Sequence, residues 1–284
     1  AYREKIEKFG TLIKKIREEI KINMPVTVAA IIDDVRIVTT KKNDRMAFIK
    51  VSDFSGSIDC VIFSKLFESI KRLLSMKITS ITNTVIPGAK LIHFDRFPDL
   101  RGYFSETFRA SDFVHHDLNI FPNGILQTNE SFSYKNVLRG LHFQWNPNMG
   151  KLVRTISGHM VDLILDLREG SPTLGKIAAF DMPTSPSDTS TSWIWVPEGC
   201  AHGNFFLQDS HIEYYCSGAY NGACEAGISP YSEDIDWSIC DPALKSLFFE
   251  LKDSFITTPK DLNGLSFSKW MQSSEATAGA KFKL

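Results

Sequence analysis

The residues best suited to chemistry lie in two neighbouring segments of the sequence, residues 139–144 and 150–154. They bring the imidazole of His142 close along the chain to the guanidinium of Arg139 and the ammonium of Lys151. An imidazole can take up a proton near neutral pH, and a fixed cation beside it can stabilise an oxyanion. Proton abstraction next to a carbonyl requires both groups. This pattern predicts an enzyme in which His142 is the base and Lys151 stabilises an enolate oxygen.

The composition is typical of a globular protein with room for two domains. The chain has 284 residues, 43% of them apolar. No apolar run approaches the roughly twenty residues that a membrane helix requires, and no secretory leader opens the sequence. The five cysteines are scattered and form no CxxC motif. This cysteine usage favours reduced thiols and a cytoplasmic protein.

Charge is distributed unevenly along the chain. Residues 1–75 carry 15 Lys and Arg against 10 Asp and Glu, whereas residues 76–284 carry 17 against 23. The net charge of the whole chain is nonetheless only −1. This asymmetry indicates that two unlike parts are joined near residues 75 and 76.

The N-terminal part combines one helix-like segment with three strand-like segments. Apolar residues recur every three or four positions over residues 3–21, which predicts an amphipathic helix. Strand-like composition follows at residues 27–32, 47–51 and 57–63, with a basic hairpin tip at residues 41–45. These segments predict a small β module preceded by a helix.

Several stretches of this module together resemble a known domain. They are Val28-Ala29-Ala30-Ile31-Ile32, Thr39-Thr40-Lys41-Lys42, Met46-Ala47-Phe48 and Asp53-Phe54-Ser55-Gly56-Ser57-Ile58-Asp59. The run 26–63 resembles the OB-fold domain of bacterial replicative DNA polymerase III alpha subunits. OB-folds bind single-stranded nucleic acid through a basic groove and stacking aromatic side chains, here implied to be Lys41, Lys42, Arg45 and Phe48. An OB barrel has five strands and only three precede residue 76, so residues 1–75 are predicted to form a partial OB-like module.

The C-terminal part has the pattern of a β-sandwich. Every second residue from 161 to 167 is Val or Leu, which predicts a strand with one apolar face, and Ser157-Gly158 before it is typical of a hairpin turn. Short strands are also expected at residues 193–196, 203–207 and 212–216. This spacing predicts a mainly β, jelly-roll type of domain over residues 76–245, followed by a C-terminal extension over residues 246–284.

A series of motifs runs in order through this part. The motifs are Phe94-Asp95-Arg96-Phe97-Pro98-Asp99-Leu100-Arg101-Gly102-Tyr103-Phe104-Ser105-Glu106, Gln127-Thr128-Asn129-Glu130-Ser131, residues 137–144, residues 150–154, Asp166-Leu167-Arg168, Ser171-Pro172-Thr173, residues 195–203, Tyr214-Tyr215-Cys216 and Tyr220. Any single His or Lys in a β-sandwich is more often structural than catalytic. The ordered set, however, resembles the dTDP-4-dehydrorhamnose 3,5-epimerase family, which has a cupin-type jelly roll.

The resemblance implies metal-free epimerisation of a dTDP-linked 4-keto-6-deoxyhexose at C3, C5 or both, by a homodimer. His142 would remove a proton that the 4-keto group acidifies, Lys151 would stabilise the enolate, and Tyr214 would return a proton from the opposite face. The resemblance also implies substrate contacts: Arg139 to the pyrophosphate, Gln127, Asn129 and His202 to the sugar, and Arg101 and Glu106 near the nucleotide, often from the other subunit.

One departure from the family concerns the partner of the base. By the resemblance, the histidine pairs with an Asp in a turn that follows a Glu-x-Gly-Ile segment, here residues 225–228. Ser232 stands at that place, and Asp234 is the predicted substitute, with Glu233 as the other candidate. A base without its carboxylate has a less fixed tautomer and a less stabilised imidazolium. A catalytically impaired sugar-binding cupin, fused to an OB module that binds single-stranded nucleic acid, is therefore the alternative hypothesis.

A metal site is the other interpretation of the histidines. Metal-binding cupins use a His-x-His pair with a further Glu and His, whereas His142 is followed two residues later by Gln144. His159 and His202 have no ligand spacing. No metal or other cofactor is predicted.

Overall fold

The computed structural model describes residues 10–19, 24–40, 42, 44–67, 78–116, 118–276 and 282. The chain divides into two compact units, residues 1–76 and 77–284. Among the residues described, no helix is both long and apolar enough to cross a membrane.

The first unit contains one helix and a three-stranded antiparallel sheet. Helix α1 (Ile13–Glu19) is followed by strands β1 (Ile31–Thr39), β2 (Arg45–Asp53) and β3 (Gly56–Ile62), which pair in chain order. The apolar face of the sheet packs around two buried residues, Ala47 and Phe67. Within the described part of this unit the sheet has three strands, whereas an OB barrel has five.

The first strand lies later in the sequence than the composition predicts. The expected strand at residues 27–32 overlaps β1 only at Ile31 and Ile32, because the observed strand continues to Thr39. In the structure a bulge lies between Ile32 and Asp34, after which Val35 and the residues that follow pair regularly with β2. Of the predicted helix over residues 3–21, the structure shows α1, and residues 10–12 immediately before it are not helical. Residues 3–9, 20 and 21 of the predicted range lie outside the described residues.

The second unit is built mainly of strands, with one short helix in its first part and three near its C-terminal end among the described residues. Its strands are β4 (Ile78–Asn83), β5 (Lys90–Asp95), β6 (Phe97–Asp99), β7 (Gly102–Phe104), β8 (Gln127–Ser133), β9 (Leu138–Gln144), β10 (Lys151–Asp166), β11 (Ile177–Thr184), β12 (Ser190–Val196), β13 (Cys200–Phe206), β14 (Ser210–Cys216) and β15 (Glu225–Gly227). Its helices are α2 (Ala110–His115), α3 (Pro242–Leu251), α4 (Pro259–Leu262) and α5 (Phe267–Met271), with 3₁₀ turns at Gly222–Cys224 and Lys252–Ser254.

Strand β10 belongs to both sheets of the second unit. Its first half pairs with β12 and β14, in a sheet ordered β8-β14-β10-β12-β5-β4. Its second half pairs with β11 and β13, in a sheet ordered β15-β9-β13-β10-β11. The predicted hairpin turn at Ser157-Gly158 is therefore wrong, because the chain continues from one sheet into the other. The predicted jelly-roll β-sandwich is confirmed.

Two core clusters cover the two faces of β10 in its second half. Val161, Leu163 and Leu165 pack in the cluster that also holds residues of the C-terminal helices. Met160 and Ile164 point the other way, into a cluster shared with the first sheet. The sequence predicts only one apolar face here. Asp162 lies on the second face and is completely buried.

Residues 246–284, predicted to be an extension, contribute to the core of the second unit. Phe248 of α3, Trp270 of α5 and Phe282 are all buried in the same cluster as Phe143 of β9. The ring of Trp270 lies 4.5 Å from that of Phe143, centroid to centroid. The C-terminal segment is thereby held against the strand that carries His142.

Candidate active site

A cavity of about 300 Å³ in the second unit brings together most of the predicted site residues. Its lining includes Arg139 and His142 from β9, Lys151 from β10, His202 from β13 and Tyr214 from β14. An adjoining recess of about 200 Å³ shares three of these residues and is also lined by Gln127, Asn129, Tyr220 and Glu225. We call this cavity and the adjoining recess together the cleft.

Two glycines allow the strands that carry the histidines to approach closely. Gly140 adopts a φ of +106°, and a Cβ built on it would lie 2.6 Å from the Cα of Gly203. A Cβ on Gly203 would in turn lie 2.6 Å from the carbonyl oxygen of Arg139. Any side chain at either position would push β9 and β13 apart. With both glycines in place, His142 and His202 stand opposite each other in the register of the two strands.

His142 is hydrogen-bonded to a carboxylate of the C-terminal segment. Its Nε2 lies 2.6 Å from Oδ1 of Asp261, which stands on α4 with a side chain only 5% exposed. Burial alone would raise the pKa of Asp261, but hydrogen bonds from His142, the Gly140 amide and Thr258 outweigh it and lower that pKa. Asp261 is therefore an anion that orients the imidazole through one ring nitrogen and leaves the other to take a proton.

The prediction that Asp234 is the partner of His142 is wrong. The carboxylate of Asp234 instead accepts hydrogen bonds from the amides of Phe267 and Ser268, at 3.2 and 2.7 Å, and so caps the start of α5. The hydroxyl of Ser232 donates to the same carboxylate. These bonds lower the pKa of Asp234 to about 2 despite the opposing effect of burial. The turn thus directs Asp234 to a helix terminus and not to the cleft.

A local signal for Asp261 is present in the sequence. Thr258-Pro259-Lys260-Asp261 has the pattern of a helix start, with a capping Thr, Pro in the first turn and an acidic residue three positions after the cap. The Thr258 hydroxyl indeed accepts a hydrogen bond from the Asp261 amide at 3.2 Å. This pattern predicts an ordered carboxylate, although nothing local says that it meets a residue 119 positions earlier.

Lys151 and Tyr214 line the same cleft, and burial there changes the pKa of both side chains. Burial lowers the pKa of the Lys151 ammonium, while Cys216, Glu225 and Asp162 oppose that change without cancelling it. Burial is also the largest cause that raises the pKa of the Tyr214 phenol. Tyr214 consequently keeps its proton at neutral pH and can act as an acid.

A second imidazole–carboxylate pair lies next to the first. His202 Nε2 is 2.6 Å from Oδ2 of Asp162, and both side chains are almost fully buried. Burial raises the pKa of Asp162, with the nearby His202 and Lys151 acting in the opposite direction. The other oxygen of Asp162 is buried with no hydrogen-bond partner among the described residues. His202 therefore lines the cleft, with a carboxylate partner that sequence reasoning did not assign.

Four of the six predicted substrate-binding residues line the cleft or its recess, namely Arg139, His202, Gln127 and Asn129, and two do not. Arg139 lies in the cleft, where its Nε donates to the Ser133 hydroxyl at 2.9 Å. Gln127 and Asn129 lie in the recess, 3.0 Å apart through their side-chain amides. Two others lie outside the cleft of their own chain: Arg101 pairs with Asp99 in the β6–β7 hairpin, and Glu106 pairs with Arg109.

Sequence reasoning missed a cluster at the edge of the cleft. The ammonium of Lys260 donates to Oε2 of Glu225 at 2.8 Å, and the Tyr220 hydroxyl donates to the same oxygen at 3.1 Å. Lys260 precedes Asp261 on α4 and lines the cleft, where its side chain remains 59% exposed. The cluster adds one cation and one carboxylate to the site.

The described residues contain no group of three His, Cys, Asp or Glu side chains arranged to hold a metal ion. His159, one of the histidines considered as a ligand, pairs with Asp181 of β11.

Comparison with known proteins places most of the second unit in one family. The sequence model of the dTDP-4-dehydrorhamnose 3,5-epimerase family matches residues 83–269. The dTDP-4-dehydrorhamnose 3,5-epimerase of Neisseria gonorrhoeae is 37% identical over 190 residues, which are 66% of this chain and 53% of that protein. The enzyme of the same name from Methanothermobacter thermautotrophicus is 37% identical over 183 residues, 63% of this chain and 90% of the relative.

Solved structures show the same likeness. The RmlC epimerase of Legionella pneumophila, solved in complex with dTDP-4-keto-L-rhamnose, is 28% identical with a TM-score of 0.58, covering 72% of this chain and 98% of that one. The rmlC epimerase of Mycobacterium tuberculosis is 30% identical with a TM-score of 0.57, covering 72% and 94%. Because the family match extends over more than half of its length, the chain belongs to the dTDP-4-dehydrorhamnose 3,5-epimerase family.

Proposed function

We propose that residues 77–284 catalyse epimerisation at C3, C5 or both of a dTDP-linked 4-keto-6-deoxyhexose, through an enolate. The observation that carries this proposal is the convergence of the His142–Asp261 pair with Lys151 and Tyr214 in one cleft. These groups supply a base, a cation and an acid, which are the three requirements of the reaction.

His142 begins the reaction as the base. The 4-keto group acidifies the protons on the carbons beside it, and His142 removes one of them. The electron pair of the broken C–H bond moves into the carbonyl, which becomes an enolate oxygen. Asp261, an anion 2.6 Å from the ring, stabilises the imidazolium that forms. Lys151 stabilises the enolate oxygen, and a fixed donor of this kind contributes about 3–4 kcal/mol to the transition state.

Tyr214 completes the inversion as the acid. Its raised pKa keeps the phenol protonated until the enolate carbon, a strong base, takes the proton. Delivery to the face opposite His142 inverts the carbon centre. The Tyr214 phenolate is then neutralised by solvent, and His142 loses its proton before the next cycle.

Cations at the edge of the cleft suit the diphosphate of the substrate. Arg139 is held by Ser133 and by the carbonyl of Phe132, and its guanidinium matches the geometry of phosphate oxygens. Lys260 adds a second, more exposed cation to the same cleft. Gln127 and Asn129 offer amides to the sugar hydroxyls.

The protein acts as a homodimer in this proposal, with the β6–β7 hairpin of one protomer reaching the cleft of its partner. The hairpin exposes Leu100, Tyr103 and Phe104 together with Arg101. None of them lines the cleft of its own chain. A closed twofold dimer would exchange the two hairpins symmetrically and bring Arg101 to the nucleotide.

The alternative of an impaired sugar-binding cupin depended on Ser232 in place of a carboxylate. Asp261 supplies the carboxylate that the dyad requires. The ground for that alternative is thereby removed.

A second candidate function concerns the first unit, which we propose to bind single-stranded nucleic acid. Phe48 is 41% exposed on the open face of the sheet, and the guanidinium carbon of Arg36 lies 5.8 Å from its ring centroid. Arg36, Phe48 and Lys50 line one groove of the first unit. A base can stack on Phe48 while the cations contact phosphates. Asp34 and Asp59 on this groove restrict such binding to a weak, salt-sensitive interaction.

Deuterium wash-in tests the epimerase proposal. In D₂O the full chain should incorporate deuterium at C3, C5 or both of dTDP-4-keto-6-deoxyglucose, followed separately at each carbon by NMR. His142→Ala should lower the rate about 100-fold or more, because the base is lost. His159→Ala is the matched control and should exchange at the wild-type rate, since His159 pairs with Asp181. Absence of exchange in the wild type would refute the proposal.

Two Asp-to-Asn variants test the identity of the carboxylate partner. Asp261→Asn should reduce exchange by a factor of about 10³–10⁴, because an amide neither stabilises the imidazolium nor favours the required tautomer. Asp234→Asn should leave exchange within about twofold of wild type, since Asp234 contacts α5 and not His142. The two rates are compared at saturating substrate. Equal losses in both variants would contradict the assignment.

Subunit complementation tests the exchanged hairpin. His142→Ala and Arg101→Ala chains, each weakly active alone, should regain activity when coexpressed, because one site of the mixed dimer then holds an intact base and an intact hairpin. Activity is measured by the same deuterium assay on dimers purified through two different tags. Pairing His142→Ala with Lys151→Ala is the control and should restore nothing. Mixed dimers no better than the controls would exclude hairpin exchange.

Fluorescence anisotropy tests the nucleic-acid proposal. A labelled single strand of about fifteen nucleotides should bind with an affinity that falls as salt increases. Phe48→Ala should cost about 1–3 kcal/mol of binding free energy, since stacking on the ring is lost. Phe63→Ala, which removes an exposed aromatic ring outside the strands, serves as the control. Binding that is undetectable or insensitive to salt would rule the proposal out.

A further inference from the structure

The proposed reaction requires two groups of the cleft to remain protonated. Lys151 must be an ammonium to stabilise the enolate, and Tyr214 must be a phenol to return the proton. Burial favours the phenol but disfavours the ammonium. A fixed negative charge nearby would favour the protonated form of both.

Glu225 is placed to provide that charge. It begins β15, is paired in register with Gln144 of β9, and its side chain is 16% exposed. It lines the recess together with Lys151 and Tyr214. Its two hydrogen bonds, from Lys260 and Tyr220, both end on Oε2, and none of the described residues donates to Oε1.

The other anions around Lys151 are less suited to this role. Asp162 shares its charge with His202, and burial raises the pKa of its carboxyl. Burial also raises the pKa of the Cys216 thiol, which is therefore uncharged at neutral pH. Glu225 behaves differently. Burial would raise the pKa of its carboxyl, but its ion pair with Lys260 and its electrostatic interaction with the nearby His142 outweigh burial and lower that pKa.

We propose that Glu225 is a positioning residue whose fixed negative charge, held by Lys260 and Tyr220, keeps Lys151 and Tyr214 protonated during epimerisation. Its carboxylate acts through those two groups and does not touch the reacting carbons. This inference depends on the proposed function for its role in turnover, whereas its effect on Lys151 can be measured without turnover.

The groups that face Lys151 come from several elements, and any pH dependence includes all of them. They are Arg139 and His142 on β9, Asp162 on β10, His202 on β13, Tyr214 and Cys216 on β14, Tyr220 in the loop that follows, Glu225 on β15, and Lys260 and Asp261 on α4. Since Glu225 and Lys260 are of opposite sign, their removal should move the titration of Lys151 in opposite directions.

Competitive acylation of the full-length protein tests the inference directly. Acetic anhydride reacts with the neutral amine, so the acetylation of Lys151 against pH, read by peptide mass spectrometry, follows its deprotonation. Glu225→Gln should acetylate at lower pH than wild type, because the anion is lost. Lys260→Gln should acetylate at the same or higher pH, because the anion remains and its counter-ion is gone. Glu225→Asp keeps the charge and should restore the wild-type profile.

The pH profile of kcat/KM for deuterium exchange provides the second readout. The loss of kcat/KM in Glu225→Gln relative to wild type should be about five- to tenfold greater at the alkaline end of the profile than near the optimum. A purely structural ion pair would leave the acetylation profile of Lys151 unmoved in both Glu225→Gln and Lys260→Gln, and that result would overturn the inference. If the wild type shows no exchange, the proposed function fails while the acetylation result still decides the role of Glu225.

Discussion

The hydrogen bond between His142 and Asp261 is the constraint on which the rest of the cleft depends. It joins the strand at the centre of the site to a four-residue helix near the end of the chain. So short a helix cannot hold its position alone. Phe248 and Trp270, on the helices before and after it, are buried in the core beside β9 and provide that hold. Core packing outside the cleft thus determines the geometry of the His142–Asp261 pair within it.

The cleft also depends on how closely its charges can be brought together. The absence of side chains at Gly140 and Gly203 lets two imidazole–carboxylate pairs stand side by side. Isolated charges are costly to bury, so a buried ammonium such as that of Lys151 is retained only where carboxylates surround it. Asp261, Asp162 and Glu225 differ in their hydrogen-bond partners, which are His142, His202 and Lys260 respectively.

Much of the fold follows from local pattern, and the errors have physical causes. Alternating apolar residues predicted the strands and the sandwich, because one face of a strand must be buried. The turn predicted at Ser157-Gly158 is a continuous strand, since the same residues permit either a hairpin or a bend between sheets. The pattern predicts a single apolar face for the strand at residues 161–167, whereas the opposite face, which carries Asp162, is buried as well. The burial of the Asp162 carboxylate depends on His202, which lies on another strand.

The sequence by itself determined the strand pattern and the residue types needed for proton transfer, His142 and Lys151 among them. Both are consequences of short-range order, since strand period and motif spacing involve residues close along the chain. Only the tertiary structure decided which carboxylate meets His142. Asp234 lies near the expected turn but caps a helix, whereas Asp261 returns from the C-terminal segment to His142. That choice depends on the path of the chain through two sheets, which no local pattern contains.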